Sequence, residues 1–548
     1  MFSEDNDYLI HGPEPHEPLV NETLGQIFFK ILHENPPGHQ IMIDAHTGKD
    51  LVSNQLLEQA CNLAQALRSY GCTPETTVAI ASENNLEFFV PVMASLFAGT
   101  IMVPLSVNYT TTELLHTVNI TQPRIVFCSK RASKGYLEMK KKMSFMEVIV
   151  VIDSEENFTG TQSIKTFIQN YLGGQRMSPS QFSPFDGDPK ENVAFILCSS
   201  GTTGMPKGVM LTHTNVVTRL MQSRDPAYLT PYTRVLGLMP FYHSYGLFFG
   251  LTSFLNRHIT IMMDRYQEDF FLRAIQDYKI EVLRVTPPLA IFLSKTPKIK
   301  DYNLSSVAEF FSAAAPLSGE TEVELKKRLN LKMIYQAYGC TEGTLALTIM
   351  NKDVYRPGSC GQVITYMTCK VRDPDSGRSL GPNQVGELCY KGPSVMKGYY
   401  KNPRATKESF TADGWLRTGD LGYYDEEKYF YIVDRLKELI KYKGHQVAPA
   451  ELEAILVNNP KVQEAAVVGL PDEMAGELPL AFIIKRDWVE VTAQELQDYV
   501  ASRVSPQKRL RGGVIFVESI PKNPSGKILR RKLKGKLKDY KAMQQSKL

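Results

Sequence analysis

"SSGTTGMPKG", residues 199–208, directly follows the apolar run "VAFILC" at 193–198. Ten positions hold three glycines, four hydroxyl side chains, one proline and one lysine. Glycine lets backbone approach a ligand closely. Hydroxyls and an ammonium donate to anionic oxygens. The run therefore reads as a phosphate-cradling loop at the end of a strand. Ser199, Ser200, Thr202 and Thr203 donate to phosphate oxygens, and Lys207 supplies charge. Gly201, Gly204 and Gly208 let backbone N–H groups turn toward the ligand. The helix-like "THTNVVTRLMQS" (212–223) is expected to follow the loop and add its N-terminal dipole. The loop is not a Walker A motif, since GxxxxGK[ST] does not fit.

Outward from the loop, β-branched apolar stretches alternate with amphipathic ones. "TVAIAS" (77–82), "RIVFCS" (124–129), "MEVIVVID" (146–153), "ITIMM" (259–263) and "EVLRVTP" (281–287) read as strands, with helical segments between them. That alternation predicts an α/β fold with largely parallel sheets. "VGELCYKG" (385–392) and "KYFYIVDR" (428–435) suggest a smaller β-rich region after it. "VLGLMPFYHSYGLFFGLTSFL" (235–255) carries no Lys, Arg, Asp or Glu, but Pro240, Gly246 and Gly250 interrupt it. It reads as a buried strand, turn and helix, so no transmembrane segment is expected. A charge-dense stretch from Asp434 marks a break before a separate small unit.

The 548 residues bear a net charge of +4 and are 43% hydrophobic and 22% charged, as expected of a globular protein of several core-sized units. The small charge and the absence of an aromatic-and-basic repeat argue against nucleic acid as a partner. The eight cysteines form no CxxC pair and sit near no histidine at zinc spacing, which suits buried thiols in a reducing compartment. The N-terminus lacks an apolar run of the kind a secretory signal needs. Ser546-Lys547-Leu548 matches the address read by the peroxisomal import receptor, so a peroxisomal location is expected. The basic tail from 527 reads either as a solvated helix face or as a patch that draws in a polyphosphate.

Further motifs occur in order along the chain: "AYGCTEG" (337–343), "GWLRTGDLGYYDEE" (414–427), "DRLKELIKYKG" (434–444) and "PKNPSGKILRR" (521–531). Together with the glycine loop, this set resembles the adenylate-forming superfamily. "KYKGHQVAPAELE" (441–453) and "RLRGGVIFV" (509–517) are similar to insect acyl-CoA synthetases and beetle luciferases. Plant 4-coumarate:CoA ligases share much of the pattern. The resemblance implies a large N-terminal domain, 1–434, of two α/β subdomains plus a β-rich region. It also implies a small mobile α+β C-terminal domain, 435–548, with a hinge near 435–437.

It further implies a two-step reaction with ATP, Mg²⁺ and coenzyme A. A carboxylate attacks the α-phosphate of ATP and expels pyrophosphate, and the thiol of CoA then takes the acyl group. Bringing two anions together calls for positive charge and placement more than for an acid or base. Thr341 is expected to hydrogen-bond the α-phosphate and Glu342 to help hold Mg²⁺. Tyr338 is suited to stack on adenine. Asp420, read as part of a Gly-Asp turn, is suited to the ribose diol, and Arg435 to anchoring the ribose. Lys527 is expected to reach the α-phosphate and carboxylate in the first step, and Lys441 to serve the second. His243 would help neutralise the incoming anions and gate the pocket.

The acid is read from the remaining pocket positions that the resemblance assigns: Arg219, Tyr245, Phe249, Ser312, Ala313, Ala314, Ala315 and Leu345. Beetle luciferases commonly show "SGGAPL", "TETTSA" and "HHGFG". Here the matching stretches are "SAAAPL" (312–317), "TEGTLA" (341–346) and "YHSYG" (242–246). Leucine replaces a hydroxyl donor with apolar surface, worth ~25 cal/mol per Å² of buried alkyl chain. The added methyls narrow a slot that a flat bicyclic acid needs. The expected substrate is a medium- or long-chain fatty acid, with weak or no light emission. The rivals are a luciferase, a 4-coumarate:CoA ligase-like enzyme and a catalytically dead binding protein.

Overall fold

In a computed structural model the chain is described over residues 8–199, 205–315, 317–443, 445–472, 474–486, 489–522, 526–535 and 537. Two parallel-centred sheets form the body. The first runs Gly398–Tyr399, Lys207–Thr212, Val193–Ser199, Ile101–Pro104, Thr77–Ala81, Ile125–Cys128, Val148–Val151, Gln162–Ser163. Its interior pairs are parallel, whereas Lys207–Thr212 pairs antiparallel with both of its neighbours. The second sheet has nine strands, centred on the parallel run Met333–Tyr338, Glu309–Ser312, Val282–Val285, Arg234–Gly237 and Ile259–Met262. Its strands are buried, as two-sided helix cover demands.

Helices Ser53–Ser69, Phe89–Ala98 and Ser244–Leu255 pack into one large core that unites the two sheets. Phe89 shows why. It touches Phe241 and Phe254 at ring-centroid distances of 4.9 Å each. Phe89–Ala98 is buried all round, with Gly99 at φ +85 ending it. The uncharged 235–255 stretch is a strand, turn and helix, as its breakers predict. Among the described residues no helix is long and apolar enough to cross a membrane.

A third sheet is antiparallel: Ile10–His11, Thr368–Arg372, Gly386–Lys391, Leu416–Tyr424, Phe430–Arg435. The small C-terminal domain holds its own sheet, His445–Val447, Ile440–Tyr442, Gly476–Lys485, Val462–Asp472, with Gly513–Phe516 parallel to Gly476–Lys485. The basic tail is amphipathic over 530–535. Leu533 and Leu537 are buried against Val468 and Phe482, while Arg531, Lys532 and Lys534 face solvent. That arrangement suits a solvated basic face for the described part of the tail. All eight cysteines are free, and burial pushes Cys61, Cys128 and Cys198 up to about 12.

Candidate active site

The glycine loop is set differently from the sequence expectation. Lys207–Thr212 is a strand, with Lys207 opposite Ser199 and Gly208 opposite Cys198. Helix His213–Gln222 therefore starts at the far end of that strand, about 17 Å from Lys207 at strand rise. Thr212 caps it locally through Asn215. Its dipole cannot serve the loop. Gly208 is a packing position: a Cβ there would sit 2.8 Å from Ile196. Ser200, Gly201, Thr202, Thr203 and Gly204 lie outside the described residues. Ser199 and Lys207 both line a cavity of about 360 Å³ where the sheets and the C-terminal domain meet. The Ser199 hydroxyl is buried there with no partner among the described residues.

At the end of strand Met333–Tyr338 the chain folds back sharply. Cys340 O accepts from both Gly343 N–H and Leu345 N–H. A Cβ at residue 339 would lie 1.6 Å from Leu345 O, so only glycine fits there. Thr341 and Glu342 are presented to the cavity on a single 3₁₀ turn, Thr341–Gly343. Glu342 accepts from Tyr399 O–H at 2.8 Å, and Lys207 Nζ lies 4.8 Å from the centre of the Tyr399 ring. Tyr399 thus ties the loop's lysine to the Thr-Glu turn. Among the described residues no three His, Cys, Asp or Glu side chains form a metal cluster. A lone Glu342 fits Mg²⁺, which takes one or two carboxylates and fills its shell with phosphates and water. Such an ion would neutralise phosphate charge.

Asp420 sits within strand Leu416–Tyr424, at a bulge where Gly419 adopts φ +71, and not in a free turn. Its buried carboxylate accepts from Tyr338 O–H at 2.8 Å and pairs with Arg435 Nε at 3.1 Å. Burial, reinforced by Asp420, raises the Tyr338 phenol well above its ordinary value. Lys527 enters the same cavity from the C-terminal domain. Burial, then the Arg435 charge, lowers its ammonium to about 8, against the opposing pull of Asp420 and Glu438. Three residues on, Arg530 grips both oxygens of Glu453 at 2.8 and 2.7 Å and Glu438 at 2.5 Å. Across the segment at 434, Asp434 accepts from Ala450 N–H at 2.9 Å.

His243 caps helix Ser244–Leu255, its Nδ1 accepting from Tyr245 N–H at 3.2 Å. Burial lowers it to about 4. It is therefore neutral at pH 7 and presents Nε2–H as a donor, and it brings no positive charge of its own. The apolar wall is aromatic: Phe249 meets Phe311 edge-on at 5.0 Å and Tyr245 at 4.9 Å. Tyr245 O–H donates to Val285 O at 3.0 Å. Arg219, Ala313, Ala314 and Leu345 complete it. Ala314 (φ +77) and Leu345 (φ +84) both hold the left-handed conformation that favours glycine.

Three of the expected positions lie elsewhere. Ser312 is buried in its strand, its hydroxyl without a partner among the described residues, and it does not line the cavity. Strand alternation turns it away, while Phe311 and Ala313 face in. Ala315 lines a neighbouring cavity of about 720 Å³ between the domains, with Pro287, Ile291, Val457 and Ile528. Lys441 is exposed on strand Ile440–Tyr442, its N–H bonded to Glu477, and lines neither cavity. Sequence reasoning missed Tyr399, Phe311, Cys340, Arg417 and Lys437, which line the site. Phe311, two residues ahead of Ala313, could have been found by strand alternation. Tyr399 carries no local signal, since a two-residue strand brings it in.

Residues 29–400 match the family model for the AMP-binding enzyme, and residues 451–527 that for the AMP-binding enzyme C-terminal domain. A luciferin 4-monooxygenase of Photuris pensylvanica is 41% identical over 97% of this chain and 99% of its own length. A probable 4-coumarate–CoA ligase of Dictyostelium discoideum is 34% identical over 95% of this chain and 96% of its own. The ATP-bound structure of MatB from Rhodopseudomonas palustris superposes with a TM-score of 0.84 at 27% identity, over 95% of this chain and all of that one. Glycine strand, Thr-Glu turn, Asp420–Arg435 pair and Lys527 converge on one cavity in a chain matched along most of its length, and this protein belongs to the AMP-binding, adenylate-forming enzymes.

Proposed function

We propose that this enzyme is an ATP-dependent fatty acid:CoA ligase for medium- or long-chain acids, working in peroxisomes through Ser546-Lys547-Leu548. The observation that carries the reading is the acyl wall. Leu345 adds alkyl surface where a hydroxyl donor would serve a polar heterocycle, and it joins Phe249, Phe311, Ala313 and Ala314 around the cavity. The two alanines narrow that wall against a flat ring system.

In the first step Lys527 faces the α-phosphate and the incoming carboxylate, whose approach its charge offsets. Thr341 orients the α-phosphate. The Nε2–H of His243 donates to the carboxylate, and Ser199 and Lys207 hold the leaving pyrophosphate. Asp420 accepts from the ribose hydroxyls, with Arg435 paired to its other side. Glu342 would hold Mg²⁺, which supplies charge neutralisation. Lys441 stands outside the cavity in this arrangement, so the second step, with CoA, requires the domain 435–548 to turn about 435–437 relative to 1–434. Lys527→Ala is then expected to abolish ATP–pyrophosphate exchange while sparing thioester formation from supplied acyl-adenylate. Equal loss of both steps would refute this division of labour.

The similarity to the Photuris luciferin 4-monooxygenase favours a second reading, oxidation of a bound adenylate with light. Pyrophosphate release on fatty acids, 4-coumarate and luciferin, with and without CoA and with photon counting, separates the two. CoA-dependent turnover of fatty acids with little light supports the ligase. Strong, oxygen-dependent, CoA-independent light with luciferin refutes it.

A further inference from the structure

Helix Pro287–Lys295 meets the C-terminal domain at both of its ends. At its start stands Thr286, its N-cap residue, and a Cβ on Gly526 would sit 3.4 Å from Thr286 Oγ1. Gly526 holds φ +81 and immediately precedes Lys527, so the loop that brings Lys527 to the reaction cavity rests on this end of the helix. The other end lies roughly 12 Å on at 1.5 Å per residue. There Lys295 Nζ donates to Val457 O at 3.2 Å. Val457 is in the last turn of helix Pro449–Asn458. The last four carbonyls of a helix have no intrahelical partner and carry its partial negative charge, so an ammonium is favoured there.

The base under Lys295 is fixed. Arg328, on helix Gly319–Leu329, donates to Ser294 O and to Thr296 O, the carbonyls on either side of it. From that anchor Lys295 lines the cleft of about 720 Å³ between the domains, which Ile291, Phe292 and Val457 make apolar. Burial, and then the charge of Arg486, lowers the Lys295 ammonium, against the pull of Glu324 and Glu320. Arg486 lines the same cleft from the C-terminal domain. The cleft therefore holds one attraction and one repulsion between Lys295 and that domain.

We propose that Lys295 is a positioning residue of the first step, an ammonium that pins the end of helix Pro449–Asn458 and so sets the register in which Lys527 enters the cavity. This rests on the division of labour between Lys527 and Lys441 and adds the contact that holds the first arrangement. Lys295 precedes the hinge at 435–437 and Val457 follows it, so a turn of domain 435–548 separates them. The grip of Arg328 on Ser294 and Thr296 stays within 1–434 throughout. Lys295 lines the interdomain cleft and not the reaction cavity, so it acts through Lys527. Its loss lowers the fraction of molecules with Lys527 in place and leaves the chemistry of the rest unchanged.

The test separates the half-reactions in the full chain: ATP–pyrophosphate exchange with dodecanoate, and thioester formation from supplied dodecanoyl-adenylate and CoA. Lys295→Met keeps the bulk of the stem and deletes the charge. Exchange should fall roughly fivefold to twentyfold, while thioester formation holds or rises. Lys295→Arg should recover most of the exchange, since a guanidinium also donates to a helix end. Arg486→Gln reads the same balance without touching Lys295. It removes the repulsion, so it should raise exchange relative to thioester formation. Two half-reactions that fall together or hold together in Lys295→Met overturn the proposal, as does Arg486→Gln moving their ratio in the same direction as Lys295→Met. Lys527→Ala is run in parallel. If it loses both steps equally, the division of labour fails and takes this inference with it. If it splits them and Lys295→Met does not, this inference alone fails.

Discussion

Lys527 should give this enzyme an alkaline limb that an ordinary lysine would not. Its ammonium lies at about 8 against an ordinary 10.5. That depression disfavours the charged form by about 3 kcal/mol, at 1.36 kcal/mol per pH unit. In the free enzyme roughly nine in ten molecules carry the charge at pH 7 and roughly one in ten at pH 9. On the role proposed for Lys527 as the cation of adenylation, kcat/KM for ATP–pyrophosphate exchange should fall about tenfold between those pH values. The limb in kcat should lie higher, because bound polyphosphate favours the ammonium. Two neighbours set the sign. Asp420→Asn removes an anion that holds the charge, so the limb moves to lower pH. Arg435→Gln removes a cation that opposes it, so the limb moves to higher pH. Lys527→Arg keeps a charge that does not titrate in this range, and its residual activity should be flat to pH 10. The assay is isotope exchange across pH 6–10 at constant ionic strength. An unchanged limb in Lys527→Arg, or Asp420→Asn and Arg435→Gln shifting it in the same direction, would refute the assignment.

Arg530→Ala should cost about 3–5 kcal/mol in chemical denaturation, since Glu453 would be left buried without its partner. A ΔG within about 1 kcal/mol of wild type would show that the network is not structural. Leu345→Ser should raise light emission with luciferin, read as photons per adenylate formed; no gain would mean that the wall at 345 does not decide the acid. His213 is buried and neutral, lowered to about 4 by burial, with Nδ1 accepting from Leu24 N–H. The unfolded chain takes up that proton below about 6.5 and the folded chain only below about 4, so stability should fall as pH drops through that window. Thermal melts of His213→Gln should show a shallower fall. Lys441→Ala should slow thioester formation from supplied acyl-adenylate and leave pyrophosphate exchange near wild type; the reverse pattern would reassign the two lysines. A fluorescent fusion lacking Leu548 should stay outside peroxisomes that the full chain enters.

The linear chain determined the alternation of buried strands and amphipathic helices, because a two-sided parallel sheet needs unbroken runs such as "VAFILC". It also determined the Thr-Glu turn, since the required glycine at 339 and the residues it presents are adjacent. What lay across the sheet did not show. Whether a strand or a helix follows the glycine loop depends on a pairing partner, Val193–Ser199, and "KGVMLT" is compatible with either until that partner is placed. Ser312 was misplaced because one residue of register decides which face a strand side chain meets. Asp420 and Arg435 are fifteen residues apart, and their ion pair exists only because two antiparallel strands align them. The neutral state of His243, the depressed Lys527 and the burial of Arg219 are likewise tertiary facts. Each depends on how much water the surrounding elements exclude, and desolvation is set by neighbours in space, not in sequence.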